Sequence, residues 1–438
     1  MSPSRRPTWW DDVVTQMTNF QRENPRNLAG AVVAAETRRD GPLIAALGAG
    51  WAADTICSIG SMTKTFTATA VLLCLEEHGM LDVDLPVAEF PGMEIYAADP
   101  VKRRIKVRHL LQYTSGMPVF LDYTEAPVSP CYDPHRPPPA ISTDPATLGP
   151  TVRWIGSPGG MNELIFAAGR CRPARTATLD EVSEHVMRTY PIVEEPGTKV
   201  MYCSANYIVL GRLVERLTGQ SPNVYLKERL FEPLGMRDSF FIAQPSGDAE
   251  LDRRMDEGVT AEQRARIADI SLITRDGNWP AEIAPGPDGG WDRLRRGWRY
   301  VYPDGGMYTT AADLLAYLRM VRDGGMRGAD RVISPAVMKL MVSDGGMSHT
   351  MAFGYRGTAS PYGQGVGTLD HLGHLMTYFW YDPRPDDPLM GVFLSQRLAN
   401  AIVNNNMVEG LRAIFREFVP LVSKSAPVSS ERLAYAGR

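Results

Sequence analysis

Residues 65–79, TFTATAVLLCLEEHG, read as a helix that closes on a glycine. From Ala68 to Leu75 this helix is apolar nearly all round. A helix without a polar face must be covered on every side, so the pattern predicts a buried central element with other segments wrapped about it. The apolar run is far shorter than the ~18 residues of a membrane-spanning segment, which makes it core. At 438 residues the chain exceeds what one compact core usually carries, and two lobes are expected.

The segments around the helix suggest how it is covered. Residues 10–27 read as a lead-in helix with Val13, Val14, Met17 and Phe20 on one stripe. The apolar runs 28–36 and 43–49, separated by TRRDGP, carry a hairpin signal. Further helices are expected over 178–190, 206–218, 313–324 and 404–421. Strands are expected at MAFGYRG, TLDHLGH, TYFWYDP and LMGVFLSQ, between 350 and 396. Residues 117–175 are dense in proline and read either as an ordered lid or as a surface insertion; a second irregular stretch spans 243–304.

Strands at both ends with helices between them predict an α+β fold. Its antiparallel sheet, flanked by helices, is built from N- and C-terminal segments, and a mainly helical lobe is inserted between them. Residues 1–76 and 305–422 would form the sheet lobe, 77–304 the helical lobe with its Pro-rich insertions, and 423–438 a mobile tail. A site would fall between the lobes.

Hydrophobic residues make up 44% and charged residues 22%, with a formal net charge of −4. That balance gives the chain no general attraction to nucleic acid or to an anionic membrane. The five cysteines, Cys57, Cys74, Cys131, Cys171 and Cys203, are odd in number and contain no CxxC, which argues against a disulfide framework or a zinc site. The N-terminus MSPSRRPTWWDDVVTQM has two arginines but no apolar stretch after them, so no secretory signal is read and a cytoplasmic location is expected.

Just ahead of the central helix stands IGSMTKTF, with Ser61 and Lys64 three residues apart. At a helix start both side chains leave from one face. The free N–H groups and positive dipole end favour an oxyanion on an acyl group attached to Ser61. They also disfavour a protonated lysine, which suits Lys64 to act as a base. A serine N-cap followed by a lysine has the same appearance, so the motif needs support from elsewhere. Tyr202, in PGTKVMYCSANY, precedes another helix start, and a phenol beside an ammonium is a plausible base. Residues 370–374, DHLGH, place a glycine within a strand, where a ligand or backbone can approach closely.

Five blocks in order carry a resemblance: ICSIGSMTKTFTATAVLLCLEEHGMLDVDLPV, KVRHLLQYTSGM, EPGTKVMYCSANYIVLGRLVERLTGQSPNVYLKERLFEPLGMRDSFF, YPDGGMYTTAADLLAYL and HLGHLMTYFWYDP. Over residues 28–415 the chain resembles the serine β-lactamase and penicillin-binding-protein superfamily. Within it, the chain is most similar to the class C-like branch with its esterases and transacylases. The resemblance implies Ser61 as the acylated nucleophile, Lys64 as its base and Tyr202 as the proton relay. His371 and Gly373 fall on the Lys/His-x-Gly strand motif, and the N–H groups of Ser61 and His374 would form the oxyanion hole. No metal or cofactor is implied.

Three departures mark this chain. Ser204 stands where the family often has the Asn of Tyr-x-Asn, and serine has the shorter reach. His371 replaces a frequent lysine, removing a fixed cation for a substrate carboxylate. Met376 stands where many relatives have glycine, which suggests a tighter pocket. Together they point to ester or acyl transfer: a small-molecule acyl donor, with water, an amine or an alcohol as acceptor. The alternatives are β-lactamase or D-aminopeptidase/carboxypeptidase activity, or a penicillin-binding-type sensor that acylates without turnover. Neither a nucleic-acid nor a membrane partner is indicated.

Other signals read as ordinary structure. GAGWAA (48–53) matches a dinucleotide turn, but no helix follows it. No GxSxG is present. His371 and His374 lack a carboxylate or cysteine at metal-binding spacing. DRLRRGWRYVY (292–302) reads as a solvated loop, Trp9-Trp10 as packing, and the 21 methionines as core filling.

Overall fold

The computed structural model describes residues 6–25, 28–117, 178–189, 192–242, 259–269, 301–373, 375–385, 387–397 and 413–426. The chain begins with helix α1 (Thr8–Glu23) and the hairpin β1 (Ala31–Thr37)–β2 (Gly41–Leu47). Strand β3 (Cys57–Ser58) leads through a 3₁₀ turn at Gly60–Met62 into α2 (Thr63–Glu77). Helices α3 (Val107–Leu111), α4 (Leu179–Thr189) and α5 (Ala205–Thr218) follow, then strands β4 (Phe240–Phe241) and β5 (Met307–Thr309). Helix α6 (Ala311–Arg322) precedes a small hairpin, β6 (Met326–Arg327) and β7 (Asp330–Arg331). Strands β8 (Gly354–Tyr355), β9 (Leu369–Gly373), β10 (Thr377–Asp382) and β11 (Leu389–Ser395) come next, and α7 (Val419–Ser425) closes the described chain.

The main sheet has the order β2-β1-β11-β10-β9-β8 and is antiparallel throughout. Ala31 pairs with Ser395, so the first and last long strands meet at the middle of the sheet, as strands at both chain ends predicted. All seven residues of β1 and of β11 are buried. Successive side chains point to opposite faces, so β1 serves two cores at once. Ala31, Val33 and Ala35 pack with Trp10, Val13, Met17, Phe20, Phe393 and Phe418 under α1 and α7. Val32 and Ala34 join Phe66, Leu314 and Leu318 on the other face.

Helix α2 is buried from Thr63 to Leu75 and surfaces only at its last turn. Its threonines serve as anchors. Thr63 Oγ1 accepts from Met307 N (3.1 Å), Thr67 Oγ1 donates to Pro303 O (2.6 Å), and Thr69 Oγ1 lies 2.8 Å from the Tyr317 hydroxyl. The central helix is thereby tied to the segment 303–307.

Several expectations need adjustment. The buried stripe of α1 uses Trp10 in place of Val14, which lies at the edge. Trp9 stays partly exposed, its Nε1 donating to Asp40 at 2.9 Å. The strand expected at MAFGYRG shrinks to Gly354–Tyr355. Within the stretch expected to be irregular, Ala261–Arg266 form a short helix with a Thr260/Gln263 capping box. GAGWAA is a turn: Gly48 and Gly50 have φ of +89° and +79°, and no helix follows. The last helix extends to Ser425, past the expected end at 421. The proposed lid, apart from Met117, lies outside the described residues, as do Cys131, Cys171, residues 292–300 and the tail beyond 426.

A polar anchor fixes α6 to the sheet. Glu36 on β1 is buried and receives Arg319 Nε at 3.0 Å and Arg322 Nη1 at 3.4 Å. Burial pushes its carboxyl up while the two arginines pull it down. Glu36→Ala leaves the mostly buried Arg322 with less of its charge partner and is expected to cost about 2 kcal/mol, less than a fully buried pair because Arg319 is partly solvated. The urea-unfolding midpoint, with an unchanged slope, checks this.

Candidate active site

Ser61 sits in the 3₁₀ turn, partly exposed, one residue after Gly60 with φ +53°. A side chain would be strained at that φ, and the glycine lets the chain turn sharply from β3 into α2. Lys64, fully buried one turn on, places Nζ 3.0 Å from Ser61 Oγ. The Tyr202 hydroxyl lies 2.7 Å from the same oxygen. A lysine one turn away and a tyrosine 141 positions along the chain thus meet at one hydroxyl.

The supports of Tyr202 are aromatic. Tyr113 packs against it, tilted by 33°, at 4.8 Å between ring centroids and against Tyr207, tilted by 40°, at 5.6 Å, and His349 meets Tyr113 edge-on at 5.1 Å. Tyr113 has φ +59°, an uncommon conformation for a bulky residue and one that persists only where packing enforces it. Lys64 Nζ lies 5.1 Å from the Tyr202 ring centre and 5.8 Å from that of Tyr207, within cation–π range. Neither Tyr113 nor Tyr207 was legible as part of a site. Their only sequence signal was membership of the QYTSG and SANY blocks.

Asp304 was also missed. Its backbone carbonyl accepts from Lys64 Nζ at 2.6 Å and its Oδ2 lies 3.7 Å from the same nitrogen, in a buried pair. The turn that presents it is tight: the N–H groups of Gly305 and Gly306 both donate to Tyr302 O, at 3.2 and 2.8 Å. Ser204 hydrogen-bonds to the Asp304 carboxylate through its side chain. Asn206 lies inside the protein, accepting from Ser115 Oγ (2.8 Å) and donating to Leu110 O (3.2 Å), and so locks α5 to the turn at 113–117.

Strand β9 runs beside the Ser61 turn. Thr377 Oγ1 donates to Ile59 O at 2.9 Å, and the Gln396 side chain bridges both Ser58 N (3.1 Å) and Ser58 O (2.8 Å). A Cβ on Gly373 would lie 2.2 Å from Ile59 O and 2.1 Å from Thr377 Oγ1. Gly373→Ala must therefore push β9 away from the nucleophile turn. It is expected to cost about 1–3 kcal/mol in stability by overpacking and about 10²-fold in turnover by misplacing the site. Thermal unfolding and ester hydrolysis measured on the same sample separate the two effects.

His371 is held by a 3.0 Å contact between Nδ1 and Leu372 O. Burial, then the charge of Lys64, puts its imidazolium well below the usual range, so the ring is neutral at pH 7. His374 lies outside the described residues. Met376 corrects an expectation. Its φ of +55° explains why glycine suits this position, but its side chain packs with Trp10 and Trp380 behind the sheet and does not narrow the site. Among the described residues no group of three His, Cys, Asp or Glu could hold a metal ion. No described helix is long and apolar enough to cross a membrane.

The chain belongs to the Beta-lactamase family, which it matches over residues 20–405. It is 28% identical to penicillin-binding protein 4 of Amycolatopsis lactamdurans over 290 residues, 66% of this chain and 56% of that protein. It is also 28% identical to monacolin J acid methylbutanoyltransferase of Aspergillus terreus over 243 residues, 51% of this chain and 47% of that one. The chain thus spans about half the length of these relatives. A solved structure of EstCE1, a hydrolase with promiscuous acyltransferase activity, superposes with a TM-score of 0.62 at 18% identity, covering 93% of this chain and 99% of that one. At that identity the likeness establishes the shared α+β fold.

Proposed function

We propose that this protein is a serine acyl-transfer enzyme working through an acyl-Ser61 intermediate, as an ester or amide hydrolase or a transacylase. The observation that carries the reading is the convergence on Ser61 Oγ of Lys64 Nζ at 3.0 Å and the Tyr202 hydroxyl at 2.7 Å. Lys64 takes the Ser61 proton as Oγ bonds to the acyl carbon. The proton then passes through Tyr202 to the leaving group as its bond to that carbon breaks. An acceptor, water or an amine or alcohol, is activated in reverse. The Ser61 N–H, at the start of α2, is one candidate oxyanion donor.

A neutral His371 favours neutral acyl donors, because the strand motif brings no cation to meet a substrate carboxylate. That separates the reading from β-lactam hydrolysis and peptide trimming. The relatives named a methylbutanoyltransferase and a lovastatin esterase suit the same chemistry.

Intact-protein mass spectrometry tests the proposal. An activated ester is expected to add its acyl mass to the wild-type chain, and an added amine or alcohol to discharge it. Multiple turnovers on a p-nitrophenyl ester would exclude the sensor alternative.

A further inference from the structure

We propose that Asp304 is a positioning residue for the nucleophile: its buried carboxylate is the counter-charge for Lys64 when the lysine takes the Ser61 proton. The inference rests on the acyl-Ser61 reading above. A neutral amine has two N–H donors and one lone pair. The Asp304 carbonyl at 2.6 Å takes one N–H, and the carboxylate at 3.7 Å attracts the other. In the structure Lys64 Nζ donates to Ser61 Oγ at 3.0 Å; once the amine is neutral, that direction is left for its lone pair to receive the Ser61 proton. A single residue thereby aims the base and balances the charge that forms on it.

The surroundings support this assignment. The Lys64 side chain is 0% exposed and that of Asp304 5%, so solvent does not screen the pair. The other titratable groups facing the pair are Tyr202, Cys203 and Tyr207 at the start of α5, Tyr113 beyond α3, and His371 on β9. Burial keeps Cys203, Tyr207 and Tyr113 protonated and His371 neutral at pH 7, so none of these four supplies a negative charge. Among the described residues Asp304 is the one ion-pair partner of Lys64.

Nor does the carboxylate look like a purely structural one. Burial pushes it up against the opposing pull of Lys64 and Ser204, and its Oδ1 makes no hydrogen bond among the described residues. An incompletely bonded buried carboxylate destabilises a fold, which favours a functional reason for its presence. Ser204 belongs to the same device. Its side chain hydrogen-bonds to the Asp304 carboxylate and favours the charged form.

Asp304→Asn keeps the shape and removes the charge. Single-turnover acylation by p-nitrophenyl butyrate, followed between pH 5 and pH 9.5, reads the consequence. The acid limb of the rate profile is expected to move about one pH unit lower, the size of effect a close charge partner has. The plateau is expected to fall about tenfold, as a weaker base accepts the proton less readily. The melting temperature is expected to fall as well, because the buried Lys64 loses its charge partner, so the pH profile is the readout that a merely structural role would not move. If the asparagine variant does not fold, Asp304→Ser, smaller and uncharged, is read against the same profile. An unmoved limb with Ser61-dependent acylation intact overturns the role of Asp304 and leaves the acyl-Ser61 reading standing. Acylation that survives in Ser61→Ala overturns both.

Discussion

Ser61→Ala is expected to abolish the acyl-enzyme mass shift and to lower ester turnover about 10⁴-fold or more, the scale of removing a nucleophile. Two groups converge on that single oxygen, and neither can form the covalent bond in its place. Substrate binding and the fold are expected to survive, because Ser61 is partly exposed and its loss removes two hydrogen bonds but no core packing. Lys64→Ala is expected to match the loss in activity but to differ in stability. It strips the buried Asp304 of its counter-charge and opens a cavity beside Tyr202 and Tyr207, so its melting temperature should fall clearly below that of Ser61→Ala. Parallel thermal melts and burst kinetics on the two variants check the contrast. Equal activity in Ser61→Ala and wild type would end the proposed mechanism.

Tyr202→Phe is expected to lower turnover by about 10²–10⁴-fold, the range for a positioned proton donor or acceptor. The phenyl ring keeps the tilted contact with Tyr113 and the face toward Lys64, so only the hydroxyl 2.7 Å from Ser61 is lost. Stability should change little. The loss should also depend on the leaving group. An activated nitrophenolate leaves without a proton, whereas an alkoxide needs one, so an alkyl ester should suffer more than a p-nitrophenyl ester. Rates for matched ester pairs test this, and an equal loss for both would argue against proton delivery by Tyr202.

These experiments rest on a site that was partly legible beforehand. Ser61 and Lys64 could be read because they lie within one helical turn, where spacing along the chain is spacing in space. Tyr202, His371 and Gly373 could be placed by the order of the blocks. Asp304 could not, since the YPDGG segment reads as an ordinary glycine turn. Its acidity matters only because Thr67 and Thr63 clamp that turn against α2. Met376 was read as a pocket residue from its position alone. It sits in the turn between β9 and β10 with a φ of +55°, and its side chain joins the cluster of Trp10 and Trp380.

The sequence by itself determined the elements whose signals are local. The helix that had to be buried, the strands at both chain ends and the nucleophile turn all follow from periodicity and from residues a few positions apart. The tertiary structure decided which charges meet. Lys64 and Asp304 are separated by 240 positions and come together only when α2 is enclosed. Once water is excluded from between them, a lysine and an aspartate that would interact weakly in solution become a tightly coupled pair. Burial of that kind belongs to the folded chain as a whole, and no local pattern of residues records it.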